Sequence, residues 1–579
     1  MKMLRKLLLA AAIAFPAVPT VVYAAPASEL NQSQRTNYRE IFAAIRAGDW
    51  ANAAARLDGM GDGPLHHVAR AELYLAKGSP RVELEQILPL LARAPDMPQA
   101  AQLARLAETR GATDLPPIPQ AQNLAWAGSQ PRRARARPVK GDPIADSLEP
   151  QIQPLIVADQ PAAAEALLQQ SEFALSNEAL TSFRQRIAWA HYLIGNYTAA
   201  RTLALRGARE GSTEWAVHAE WVAALAAWRM NDCREAGQSF SLVGSRSGDQ
   251  ELSAAGHYWA ARADMMCAHP ERVQAHLRNA ARHRETFYGL IAASALGIKD
   301  KNYSGLHDYR DPDWRRVAQR PNVRAAVALA DIGEMRLADE FIRHQARIGG
   351  AADHDGLLHL AETMSLASTQ YWLAHNAPRG TQVNASARYP MPNWQPTRGW
   401  RVDPSLAFAH ALQESSFRAE VVSPAGATGV MQVRPGTAGD MARKRGEYFS
   451  PEQLKQPSAN IEYGQSYLEY LRDYPSTGGL LPKVIASYNA GPAPISEWNA
   501  RPSVMSADPL LYIESIPYWE TRGYVPIVLR NYWIYEQKAG KGSTSRQALA
   551  QGMWPRFPGM PGATAVRMNP VGGFAQGSN

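Results

Sequence analysis

The stretch FAHALQESSF, residues 408–417, sets a single carboxyl group, Glu414, in a run of alanine, leucine and phenylalanine. On a helix, Ala407, Ala411 and Glu414 follow i, i+4, i+7 spacing and share one face. Small neighbours leave room for a substrate, and apolar surroundings disfavour the charged carboxylate and so raise its pKa. A carboxylic acid that keeps its proton near neutral pH is what general acid catalysis requires. The same ten residues also describe a glutamate at a helix end turned to solvent, so the choice rests on residues further along the chain.

Three later stretches supply partners for such an acid. SPAGATGVMQVRPGTA, 423–438, is a glycine-punctuated loop with Gln432 beside Met431. ASYNAGP, 486–492, ends an apolar helix on Tyr488 and Asn489, and IESIPYWETRGYV, 513–525, gathers aromatic rings around Glu520. A proton donor, amide and hydroxyl hydrogen-bonders and aromatic surfaces make up the inventory of a sugar-binding cleft.

Glu414-Ser415, Gly429-Val-Met-Gln432, Ser487-Tyr-Asn-Ala-Gly491 and Glu520-Thr-Arg-Gly-Tyr-Val525, in this order and at these intervals, resemble the catalytic domain of the large soluble lytic murein transglycosylases. HYWAARA at 257–263 and ETFYGLIAASALG at 285–297 are similar to that family's superhelical region and linker domain. The resemblance implies that Glu414 is the sole catalytic acid and base, that Tyr488 holds a hydrogen bond near Glu414 or the sugar, and that Ser423 and Gln432 line the glycan cleft. Glu520 would support and orient the site; its alternative is a surface ion pair with Arg522 or another base. Met431 reads as packing, and Asn489 as a turn-former or a ligand, since asparagine tolerates helix-end geometry. Arg434 departs from the family, which commonly has methionine two residues after the glutamine. A cation there could contact a stem peptide or sugar carbonyls, or pair with a carboxylate and alter the pKa of Glu414.

Most glycosidases use two carboxylates. In the resembled family the second nucleophile belongs to the substrate: its N-acetyl group assists departure of the leaving sugar, and the C6 hydroxyl of N-acetylmuramic acid closes on C1. The implied product is a 1,6-anhydro sugar, cut exolytically from the MurNAc-GlcNAc β-1,4 bond of peptidoglycan during wall turnover. No metal or cofactor is implied. The expected partner is the peptidoglycan strand, alongside other cell-wall enzymes. Two alternatives remain: a hydrolytic muramidase in which Glu520 or another carboxylate activates water, and a glycan-binding scaffold for other wall enzymes.

Positioning these groups falls to helices. From about residue 30 to 375 the pattern is helix after helix, rich in Ala, Leu and Arg, without convincing alternating strands. Similar turns recur in RAGDWANAAARL (46–57), LIGNYTAARTLA (193–204), RMNDCREAGQSF (229–240) and DIGEMRLADEFI (331–342), each closing one helix on Gly or Asn. Stacked helix hairpins of this kind predict an α-solenoid. Near the acid, Asp403 reads as an N-cap and Pro404 as the first helical residue. The expected fold is all-α: an α-superhelical solenoid, closed into a ring in the resembled proteins, followed by a mainly helical lysozyme-like catalytic domain. The expected divisions are a signal peptide at 1–24, a U-shaped superhelical domain at 25–284 with a Pro/Arg-rich excursion at 111–145, a helical linker domain at 285–385, the catalytic domain at 386–540 and a Gly/Pro-rich tail at 541–579.

Lys2, Arg5 and Lys6 precede an apolar stretch from Leu7 to Val22 interrupted by Pro16 and Pro19, with small residues at Ala24 and Ala25. This reads as a secretory signal cleaved after Ala24, with no integral membrane segment later; the expected compartment is the periplasm. The formal charge of +8 falls to +5 without the three leader cations, a modest excess that suits an anionic wall polymer and falls short of the basic face nucleic acid requires. The basic cluster PRRARARPVK, 131–140, set among prolines, reads as a solvated linker. The two cysteines, Cys233 and Cys267, are 34 residues apart; export permits a disulfide between them, the alternative being two buried thiols.

Overall fold

The computed structural model describes residues 29–299, 303 and 311–568. The expected signal peptide and its cleavage site lie outside the described residues, as does the end of the tail from 569. Twenty-seven α-helices carry the described fold, and its strands are two short antiparallel pairs, Ala125–Trp126 with Asn376–Ala377 and Trp554–Pro555 with Ala565–Val566. The architecture is all-α. No described helix is long and apolar enough to cross a membrane.

The four recurring turns show why the helices pair. Each puts its turn residue, Gly48, Gly195, Asn231 or Gly333, at positive φ, where glycine and asparagine lose least. In the first three turns the next residues, Asp49, Asn196 and Asp232, accept a backbone N–H of the following helix and cap it. One helix is thus stopped and the next started within three or four residues.

The chain divides into two compact units, 1–124 with 309–369 and 125–308 with 370–579. In the first, Arg35 from the helix Gln32–Ala47 pairs with Asp331 at 2.6 Å, and Asn322 donates to the carbonyl of Asp96 at 2.8 Å. Residues far apart in sequence are thereby joined in one body.

In the second unit the helices from Asn177–Leu193 to Pro270–Ala281 stack in chain order. Gly244 and Gly256 bring the helices Cys233–Arg246 and Gln250–Met266 into backbone contact, since a Cβ on Gly256 would lie 2.4 Å from the Gly244 nitrogen. Trp259 fills the layer beside them, 5.1 Å from Trp228 and 5.5 Å from Phe240. A disulfide joins Cys233 and Cys267 across this hairpin, with their Cα atoms 5.6 Å apart.

The basic stretch 131–140 corrects the linker expectation. Arg133 clasps the fully buried Glu514 with two hydrogen bonds, of 2.6 and 3.0 Å, and lies 4.9 Å over the ring of Trp221. Tyr288 donates to the same carboxylate at 2.7 Å. The backbone N–H of Arg137 donates to Glu214 at 2.6 Å, and Arg530 donates to the carbonyl of Pro131. Arg132, Arg135 and Lys140 remain exposed. The segment is a strap: prolines hold it extended, and one arginine in the cluster is committed to a buried carboxylate.

Candidate functional site

Glu414 lies at the end of the helix Pro404–Ser415. Asp403 caps that helix by accepting the Ser405 N–H at 2.8 Å, with Pro404 in its first turn, as the sequence predicts. Ser416 and Phe417 follow at φ 53° and 63°. Two successive non-glycine residues in the left-handed region cost of order 1–2 kcal/mol each and stop the helix abruptly after Glu414. The helix packs against the long helix Trp519–Lys538, where Phe408 meets Tyr535 at 6.0 Å between centroids.

From that second helix Tyr524 donates a hydrogen bond to Glu414 Oε1 at 2.5 Å. Burial pushes the half-buried Glu414 carboxyl up to about 7; the Tyr524 hydrogen bond pulls it down and the charge of Glu520 adds to the rise. Removal from water therefore dominates. At neutral pH the group is poised between acid and carboxylate, as proton donation followed by proton uptake requires.

One turn before Glu414, His410 is fully buried, with ring centroids 4.7 Å from Tyr488 and 6.1 Å from Tyr524. Its Nδ1 lies 3.0 Å from the Leu406 carbonyl, which can only accept, so Nδ1 carries the hydrogen. Burial lowers its pKa to about 4, so the ring is neutral at pH 7. It acts as an uncharged spacer behind the two tyrosines.

The loop that carries Gln432 is built by reciprocal backbone bonds between Thr428 and Val433, with Gly429 at φ 80° and Gln432 at φ 49°. Asn460, buried in the helix Pro457–Arg472, holds it at two points, accepting the Met431 N–H and donating to the Thr428 carbonyl, and donates also to the Leu454 carbonyl in the turn before its own helix, each at 2.8 Å. Gly429 is required for that approach, since a Cβ there would lie 2.2 Å from the Asn460 amide nitrogen. Ser415 donates to the Val430 carbonyl at 2.8 Å and ties the loop to the acid's own helix. Tyr488, on the helix Leu481–Ala490, donates to the Met431 carbonyl at 2.9 Å.

Residues 392–508 match the family described as the Transglycosylase SLT domain. The chain is 42% identical over 147 residues to the soluble lytic murein transglycosylase of Salmonella typhimurium, covering 25% of this chain and 22% of that protein. It is 39% identical over 158 residues to the Escherichia coli K12 protein of the same name, covering 27% and 24%. The aligned stretch thus spans about a quarter of the curated relatives' length. In three dimensions the likeness is wider. The crystal structure of the 70 kDa soluble lytic transglycosylase of Escherichia coli overlays with a TM-score of 0.54 at 18% identity, covering 91% of this chain and 99% of that one. The lytic transglycosylase Slt of Pseudomonas aeruginosa gives 0.54 at 21%, covering 88% and 87%. The chain shares its fold with these two soluble lytic transglycosylases, and residues 392–508 are similar to the SLT domain.

Within the matched stretch, the structure brings Glu414, the Gln432 loop and Tyr488 together. Gln432 uses its amide nitrogen on the carbonyls of Gly429 and Val421, at 2.9 and 3.1 Å. Ser423 accepts the Ala427 N–H at 3.0 Å and braces a tight turn. Asn489 donates to Glu520 at 3.3 Å and accepts from Thr521 at 2.6 Å, so these residues form a small network at the start of the Trp519–Lys538 helix. Glu520 is exposed, and Arg522 turns away from it to the Ile516 carbonyl at 3.1 Å and over the ring of Trp189 at 4.1 Å. Arg434 is exposed, with no ion pair among the described residues.

Sequence reasoning placed Tyr524 inside its motif without giving it a role, and passed over Asn460 and His410. Tyr524 follows Glu520 by four residues, one helical turn, which could have pointed to a shared face. Asn460 lies in the first turn of its helix, where asparagine is common, and carries no such signal. The family match ends at 508, so the hydrogen bond to Glu414 comes from outside the matched stretch.

Proposed function

We propose that the protein is a lytic murein transglycosylase that cleaves the MurNAc-GlcNAc β-1,4 bond of peptidoglycan without water, leaving 1,6-anhydroMurNAc ends. The observation that carries this reading is the half-buried Glu414, raised to about 7 and bound by Tyr524. Glu414 gives its proton to the bridging oxygen while the substrate's N-acetyl group assists the departing sugar. The resulting carboxylate is stabilised by the Tyr524 hydroxyl and then takes the proton of the C6 hydroxyl as that oxygen closes on C1. Gln432, Ser423, Tyr488, Asn489 and Arg434 line the glycan cleft, and Glu520 supports it through Asn489.

The soluble lytic murein transglycosylases matched by sequence support the reaction class. The Pseudomonas aeruginosa structure is that of an inactive glutamate-to-glutamine mutant, and the Escherichia coli enzyme has also been crystallised with bulgecin A. Cleavage is exolytic and the protein works in the periplasm, a compartment that suits the Cys233–Cys267 bridge.

Digestion of purified sacculi followed by mass spectrometry tests the reading. Anhydro ends, one water lighter than reducing ends, are expected from wild type and not from Glu414→Gln. Reducing ends would instead assign a hydrolytic muramidase in which Glu520, whose charge already reaches Glu414, activates water. Long fragments dominating early time points would overturn the exolytic mode.

A further inference from the structure

A small cavity of about 40 Å³ lies against the first two turns of the helix Trp519–Lys538. Arg133 of the strap, Glu251 of the helix Gln250–Met266 and Tyr288 of the helix Phe287–Ala295 wall it on one side, Trp519 and Arg522 on the other. Half-buried Trp519 and Gly523 at its edge leave a way in from solvent. One water molecule needs roughly 10–15 Å³ of such space. The cavity therefore takes a monatomic ion or a few waters, and excludes a sugar or a peptide.

The charges around it do not cancel. Arg133 is spent on Glu514, which also accepts from Tyr288. Arg530 lies 3.6 Å from Glu251, whose two oxygens accept the Phe287 N–H at 3.1 Å. Arg522 has no carboxylate partner among the described residues. Its Nη1 donates to the Ile516 carbonyl at 3.1 Å, and its guanidinium sits over the rings of Trp189 and Trp519, 4.1 and 5.1 Å from their centroids.

A guanidinium carries five N–H donors, so four of those on Arg522 have no protein acceptor among the described residues. Three cations, Arg133, Arg522 and Arg530, thus face two carboxylates, Glu251 and Glu514. Burial pushes Arg522 down to about 10 and Glu251 up to about 7, and a protonated Glu251 leaves the excess larger. His218, 6.1 Å from Trp519 between centroids, is held by burial at about 4 and is neutral at pH 7. The next charges outward, Asp249 and Arg135, are of opposite sign and do not line the cavity. A cation left unpaired in such surroundings is costly unless an anion or a full set of acceptors compensates it.

We infer that the cavity binds one halide ion, chloride in ordinary salt, held by the free N–H groups of Arg522 beside Arg133. A single negative charge of that size fits both the space and the excess. The ion neutralises the junction of the strap, the superhelical helices and the helix that carries Tyr524, and so links chloride to the stability of that junction. The site stands apart from the reading of Glu414, and its test needs no substrate.

Thermal melts of the full chain at constant ionic strength, with chloride replaced stepwise by gluconate, which is too large for the cavity, read the site in solution. The gain in Tm from gluconate to chloride should be about 2–4 °C larger for wild type than for Arg522→Gln, and should saturate as a single site does. Equal gains in the two proteins overturn the site. Should Arg522→Gln not fold, anomalous diffraction from wild-type crystals grown in bromide decides alone. A bromide peak in the cavity within hydrogen-bond distance of Arg522 is expected; water there, or bromide on surface arginines only, sinks the inference.

Discussion

Tyr524 and Glu414 are 110 residues apart in sequence and share a 2.5 Å hydrogen bond in which the phenol donates. The bond favours the carboxylate over the acid, against the stronger effect of burial. Removing it should shift the balance in a known direction. Tyr524→Phe is expected to raise the pKa of Glu414, to move the alkaline limb of the pH–rate profile upward from about 7, and to lower kcat about tenfold as the nascent carboxylate loses its donor. A kcat loss without movement of that limb would show that the phenol acts on something other than Glu414.

The raised pKa also makes Glu414 a stability liability. The folded chain keeps this proton up to about 7, whereas the unfolded chain releases it near ~4.3. Between those values the native state binds more protons, so this group's contribution to stability falls as pH rises and levels off above about 7. Glu414→Gln should therefore gain stability relative to wild type on going from about pH 5 to about pH 8, by on the order of 1–3 kcal/mol. Denaturant melts at the two pH values read the difference, and a constant offset would contradict the buried, protonated acid.

Asn460 makes three hydrogen bonds of 2.8 Å to the loop and its approach. Asn460→Asp replaces the donating amide with an acceptor facing two carbonyls, and the cost of the unsatisfied groups should come to about 2–3 kcal/mol or more. Gly429→Ala should be as severe, since the residue is left-handed and a Cβ would collide with that amide. Both variants are expected to lose turnover on sacculi well beyond their loss of thermal stability, because the loop holds Gln432 in the site.

Arg133 and Glu514 form a buried, two-pronged ion pair. Arg133→Met strands the carboxylate and should cost about 3–5 kcal/mol. Arg133→Lys should recover little, since an ammonium group cannot reproduce the planar fork. The double variant Arg133→Met with Glu514→Leu should recover much of the loss. Urea unfolding of these variants beside wild type checks the coupling.

Those features that repeat locally could be read from the chain. The αL turns at Gly48, Gly195, Asn231 and Gly333, the first three with their capping residues, are written in four or five letters each, and the Asp403-Pro404 helix start likewise. Glu414, Gln432 and Tyr488 stood out because each sits in a short motif, and the motifs together, in their order and at their intervals, resemble a known catalytic domain. Asn460, Tyr524 and Arg133 did not, since each acts on a group tens to hundreds of positions away and carries no local mark of its target. The strap misled most: proline and arginine in a row describe a solvated linker as well as an extended segment with one buried side chain, and only the position of Glu514 separates the two.

That strap bears on how the Glu414 region can be handled as a fragment. Cutting the chain before residue 386 would leave Glu514 without Arg133 and Tyr288, and Arg530 without the carbonyl it grips. A truncated piece so made would open to water a seam that the intact chain seals, with Glu514 hydrated where it is now paired. The lysozyme-like portion is a keystone whose abutments were laid by the first half of the polypeptide.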